Sequence, residues 1–197
     1  MIGNNAFCGL GLAPWWSALG DFHILDMTTD TWSPMAAIPT GEERQYAAGF
    51  SRNGMGYIFG GTGKGKFLND LWQYNPNTDS WTEMSSLPDS GRSATAHFVL
   101  NDTAYFVGGK MNGQLATQQV WAYAINNDTW IQKSDFPFGN LWHAAGASWQ
   151  NKGYLIFGVN ENGAYQNQLY EYNAGTDTWQ IISTFPQAGR NYASMNA

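Results

Sequence analysis

Cysteine is almost missing from this chain. Cys8 is the only one in 197 residues, so no internal disulfide is available. Histidine is scarce as well. His23, His97 and His143 lie far apart in sequence. A zinc site needs several His, Cys or carboxylate ligands together, so a structural or solvent-facing role is expected for each, with no metal and no cofactor. Positive charge is thin, with nine Lys and Arg against 15 Asp and Glu, a net charge of −6. Nucleic-acid binding needs clustered cations and is not expected. Only Lys64 and Lys66 stand close, in "GTGKGKF". That loop lacks the G-x-x-x-x-G-K-[ST] spacing and the following helix of a phosphate loop. No apolar run reaches 18 residues, so no membrane span is expected. The opening "MIGNNAFCGLG" lacks a basic stretch followed by an apolar one, so no signal peptide is expected. The compartment stays open. The NDT triplets at Asn101 and Asn127 match glycosylation acceptors, which matter only in a secretory eukaryotic setting.

What the chain does have is a repeat. "LDMTTDTWSPM", "YNPNTDSWTEM", "YAINNDTWIQK" and "YNAGTDTWQII" place Trp32, Trp81, Trp130 and Trp179 49 residues apart. Asp30, Asp79, Asp128 and Asp177 stand two residues before each tryptophan, and Pro39, Pro88, Pro137 and Pro186 seven after. A period of this size marks a solenoid, propeller or array. The unit reads as β: "LWQYN", "VWAYA" and "LYEYN" alternate two large faces, and "PNTDS" is a turn of Asx residues. No amphipathic helix of ten residues is found. Upstream, "RQYAAGFSRNGMGYIFGG" and "RSATAHFVLNDTAYFVGG" each supply two more strands, a and b, ending in a glycine pair. Strands c and d complete an antiparallel set of four, which is a propeller blade.

These features resemble the kelch repeat over essentially the whole chain. The matches are the arginine opening strand a, the Tyr-x-x-Gly-Gly end of strand b, the Tyr-Asn of strand c and the tryptophan that follows. The chain departs in places. The fourth unit has Phe157-Gly158 for the glycine pair and Leu141 for the arginine; the first has "AFCGLG"; Ala124 follows Tyr123. The expectation is an all-β, galactose-oxidase-like propeller in one domain, 1–197. Its blades are 1–39 with 188–197, then 40–88, 89–137 and 138–187. The chain starts at strand b and ends in "AGRNYASMNA", the pattern of strand a. That segment is expected either to close a four-blade ring beside Asn5 to Gly11 or to belong to an arc of a larger propeller. An open arc would expose blade faces and favour self-association.

Function is expected where the b–c and d–a connections emerge together, the end that carries the partner or ligand site in kelch relatives. The candidates are Trp15, Trp16, Arg44, Lys64, Lys66, Arg92, Trp142, His143, Tyr165 and Arg190. Arg44, Arg92 and Arg190 are either a cationic lip or turn-holding groups bonded to carbonyls or to a carboxylate such as Glu43. Trp15-Trp16 is either an exposed stacking pair or a cap on the first blade. Trp142-His143 stands where another blade has arginine, as a ligand contact or as inter-blade packing. The repeated Trp, Tyr and Asp columns are read as structure. No catalytic residue is identifiable. The function expected is a non-catalytic binding module for a protein or glycan. The alternative implied by the resemblance is a sugar-active enzyme of the sialic-acid mutarotase or galactose-oxidase type.

Overall fold

The computed structural model describes residues 2–112 and 115–195, apart from the side chain of Trp16. The chain divides into two compact units, Met1–Gly91 and Arg92–Ala197. Among the described residues it is built of antiparallel sheets and has no α-helix.

In the first unit, β1 (Asn5–Gly9), β2 (Phe22–Asp26) and β3 (Thr31–Met35) form a three-stranded sheet. The second sheet has β4 (Ala48–Arg52), β5 (Met55–Phe59), β8 (Leu71–Asn75) and β9 (Ser80–Met84) in the order β4-β5-β8-β9. Its b–c loop folds into a small ribbon, β6 (Thr62–Gly63) with β7 (Lys66–Phe67). In the second unit, β10 (Arg92–Ser93) pairs with β13 (Lys110–Met111). The third sheet orders β11 (Ala96–Leu100), β12 (Thr103–Val107), β14 (Val120–Ala124) and β15 (Thr129–Lys133). The fourth orders β16 (Ala145–Trp149), β17 (Lys152–Ile156), β18 (Gln168–Asn173) and β19 (Thr178–Thr184). Each of the four larger sheets carries one of the repeated tryptophans on its last strand: Trp32 on β3, Trp81 on β9, Trp130 on β15 and Trp179 on β19. The first has only strands b, c and d. Among the described residues, 187–195 form no strand and the sheet of β1 has three strands; the part of the closing-strand expectation that falls on 196–197 lies outside the described residues.

The repeated columns hold sheet on sheet. Tyr74, Tyr123 and Tyr172 each donate through Oη to the aspartate five residues on, at 2.6, 2.7 and 2.6 Å. Those aspartates sit in the left-handed turn conformation, with φ of 47, 52 and 53°, which an Asx side chain tolerates. Two of them also reach the preceding sheet. Asp79 accepts from the Ala36 amide at 2.8 Å, and Asp177 from the Ser134 amide at 3.0 Å. Trp81 packs on Phe22 at 4.9 Å and donates Nε1 to the Ala36 carbonyl at 2.9 Å. In the second unit Phe136 lies 4.9 Å from Tyr170 and 5.1 Å from Trp179 within a core that includes Phe98, Val107, Leu155 and Tyr172. The aspartates thus act as turn formers, and Asp79 and Asp177 also as staples between neighbouring sheets.

Glycine is required where strand b ends. The second residue of that corner is Gly11, Gly61, Gly109 or Gly158, with φ between 94 and 99°. A Cβ on Gly61 would stand 2.7 Å from the Gln45 carbonyl oxygen. The first residue tolerates Leu10 or Phe157 at φ of 63 and 67°, which is why the glycine pair is incomplete in two repeats.

Candidate functional site

The b–c loops fold back on the d–a entries through backbone bonds. Gln45 and Thr62 exchange N–H···O bonds of 3.0 and 2.7 Å, and Trp142 and Val159 do so at 3.1 and 2.9 Å. Val159 also bridges to Tyr165. The two loop classes therefore share one end of each blade, as strand alternation requires.

Arg44 is fully buried and saturated. Its guanidinium grips Asp70 through two bonds of 2.7 and 2.8 Å, Nε donates to the Glu42 carbonyl at 2.8 Å, and further bonds reach the Gly60 carbonyl and the Glu42 carboxylate. Burial raises the Asp70 carboxyl pKa, but the Arg44 guanidinium and the Trp72 indole outweigh it and hold it below the usual carboxylate range. The carboxylates that hold Arg44 are Asp70 and Glu42, not Glu43. Arg92 is 2% exposed and donates to Gln119, the residue in register with Asp70. Both arginines are thus buried and bonded to side chains of their own blade, as the turn-holding reading expects. Arg190 is exposed; its guanidinium lies 5.2 Å over Phe157 and 4.8 Å over Phe185.

Lys64 pairs with Glu42, and Lys66 is exposed on β7. Trp15 stands free of the surface at 96% exposure with φ of 71°, so it does not cap the first blade. The expectation for Trp16 falls on a side chain outside the described residues. A cleft of about 420 Å³ opens between the two sheets of the first unit, lined by Phe7, Phe22, Tyr46, Phe50, Tyr74 and Trp81 among others.

The second unit gathers a small cluster. Trp142 is 7% exposed, packs with Ala94, Ala116 and Val159, and has the Lys110 ammonium 5.5 Å above its ring. The His143 ring lies 4.0 Å from that of Tyr192, which is 64% exposed. Burial, helped by the Lys110 charge, pushes the His143 pKa down to about 4, so the imidazole is neutral at physiological pH. Tyr165 is 58% exposed at the loop tip. Lys110 and Tyr192 escaped the sequence reading. A signal for Tyr192 was there: Tyr46, Ala94, His143 and Tyr192 each stand two residues after the strand-a entry column 44, 92, 141 and 190. All four adopt φ of 54–57°, a conformation that costs a non-glycine residue about 1–3 kcal/mol and is concentrated at functional sites. Among the described residues, no group of three His, Cys, Asp or Glu is placed to hold a metal ion, and no helix is long and apolar enough to cross a membrane.

A family model described as the KLHDC2/KLHL20/DRC7 Kelch-repeats domain matches residues 16–144. Among solved structures, the chain is similar to one titled "Structure of YjhT", with a TM-score of 0.81 and 22% identity. The match covers 95% of this chain and 65% of that one, so the chain spans less than two thirds of the length of that protein. At this identity the likeness shows the fold alone. No curated protein matches the chain.

Proposed function

The chain belongs to the kelch-repeat family, and on that premise we propose that it is a non-catalytic binding module whose b–c and d–a loop face takes an acidic glycan or an acidic loop of a protein. The observation that carries this reading is the Lys110–Trp142–His143–Tyr192 cluster, with Tyr165 at its loop tip. Aromatic faces and a neutral imidazole suit the apolar side of a sugar ring or an anchoring side chain, and the ammonium suits a carboxylate. The sugar-active alternative needs a proton-transfer group that titrates near the working pH. His143 titrates near 4, and no carboxylate stands in the cluster as described, which favours binding over catalysis.

The test is a glycan screen that includes sialic acids, beside acidic peptides, read both as binding and as anomer exchange. Binding that falls about tenfold or more on His143→Ala or Tyr192→Ala, with no acceleration of anomer exchange, is expected. Binding untouched by both substitutions refutes the assigned cluster. Accelerated exchange moves the protein to the enzyme reading.

A further inference from the structure

The seam between the third and fourth sheets is built like the seam between the first and second. Asp177 accepts from the Ser134 amide as Asp79 does from the Ala36 amide. Phe136 is buried at one seam as Ile38 is at the other. The outer rims of the two seams nevertheless differ in chemistry. In the first unit the rim carries Ser33, Thr40 and Glu83, all exposed. In the second unit the same columns, 98 residues on, carry Ile131, Phe138 and Ile181. These three remain 55, 39 and 42% exposed. A seam of this fold therefore closes with polar side chains at these positions, and packing within the chain's own core does not account for apolar ones.

The fold gathers the three at one place. Residues directly opposite in an antiparallel pair share a face of the sheet. Ile131 is opposite Ala122, and Ile181 is opposite Tyr170. Ala122 and Tyr170 belong to one core. The two isoleucines thus continue that core outward to solvent from either side of the seam, on the outermost strands β15 and β19. The Phe138 ring lies 5.0 Å from that of Tyr170. A fourth apolar residue joins them. The register of β19 with β18 slips after Tyr170, which leaves Ile182 as the extra residue of a bulge, 43% exposed. A bulge interrupts an edge ladder, so this rim offers a partner its side chains rather than a row of backbone hydrogen bonds. Lys133, two residues after Ile131, forms a 3.7 Å ion pair with Asp177 across the seam, which gives the patch the polar margin of an interface.

We infer that this rim is a homodimer contact, in which the patch of Ile131, Phe138, Ile181 and Ile182 packs on the same patch of a second copy of the chain. Charge selects the occupant. With a net charge of −6, two copies repel on approach. β19 carries no charged residue, and the ion pair at its margin holds one charge of each sign. Two copies can therefore meet here with apolar side chains facing apolar ones and Lys133 of one near Asp177 of the other. The contact is isologous, so it closes at two copies. A contact centred on four side chains belongs with the small, transient interfaces below about 1,200 Å², so association is weak and depends on concentration.

Sedimentation of the intact chain over a concentration series tests this, with circular dichroism as the folding control. Wild type should form dimers and nothing larger. Ile131→Ser, Phe138→Thr and Ile181→Glu copy the rim of the first unit, where the seam accepts those side chains. Each should weaken association about tenfold or more, the effect expected for a residue at the centre of an interface. Added salt should strengthen wild-type association, because it screens the repulsion between two negative chains and leaves the apolar contact intact. A wild type that is monomeric at every concentration overturns the inference and leaves the rim to a segment of another protein. Variants that match wild type, assemblies that grow past dimers, or association lost in salt also overturn it. If Ile181→Glu disturbs folding, Ile131→Thr with Ile181→Thr keeps the branched shape and serves in the same comparison: association as strong as wild type overturns the inference, and weakened association upholds it.

Discussion

Replacing Arg44 by leucine is the sharpest test of how the repeat is held. The guanidinium is fully buried and makes five hydrogen bonds, two of them to Asp70. Removing one partner of a buried ion pair costs about 3–5 kcal/mol because the other charge stays desolvated. The Asp70 side chain is 13% exposed and keeps the Trp72 indole as a donor at 2.7 Å, which sets the expectation at the low end, about 3 kcal/mol. The fourth blade shows the repair, because Leu141 and Gln168 occupy the same two positions there and Leu141 is 1% exposed. Copying both residues as Arg44→Leu with Asp70→Gln should bring the loss to about 1–2 kcal/mol, since no unpaired charge remains buried. Urea unfolding of the three variants gives the coupling as a double-mutant cycle. A single variant within about 0.5 kcal/mol of wild type, or a double variant no better than the single, refutes the argument.

Tyr172→Phe removes a 2.6 Å bond to Asp177 and should cost about 1.5–3 kcal/mol, the range for a hydrogen bond to a charged group. Burial raises the Asp177 pKa, but the bonds from Tyr172 and Ser134 outweigh it and leave it lowered. Its stabilisation is present above the ordinary carboxylate pKa and is lost as pH falls through the folded value, so the wild-type advantage over Tyr172→Phe should shrink in acid unfolding titrations. The His143 imidazole should titrate near 4 by NMR. Because its folded pKa lies below the free value, folding stability should fall as pH drops from about 6.5 to 4. A midpoint near 6.5 would show that its ring is not desolvated.

The sequence alone determined the blades. Trp32, Trp81, Trp130 and Trp179 recur with their aspartates because each turn adopts the same left-handed residue, and Asp79, Asp128 and Asp177 each accept from a tyrosine five residues before. Strand bounds follow from alternation, and the end of the blade that bears the loops follows from strand direction. Tertiary structure decided which polar residues are spent on holding the blade and which are left for a ligand. Arg44, Arg92 and Arg190 look alike in the sequence, yet two are buried while the third lies exposed on aromatic rings. That distinction depends on what stands at 70 and 119, residues distant in sequence that only pairing of strands b and c brings beside the strand-a entry. The same holds for Lys110 over Trp142 and His143 against Tyr192. Local pattern fixes each backbone corner, but desolvation and ring contact are set by neighbours one repeat away, and no local pattern records them.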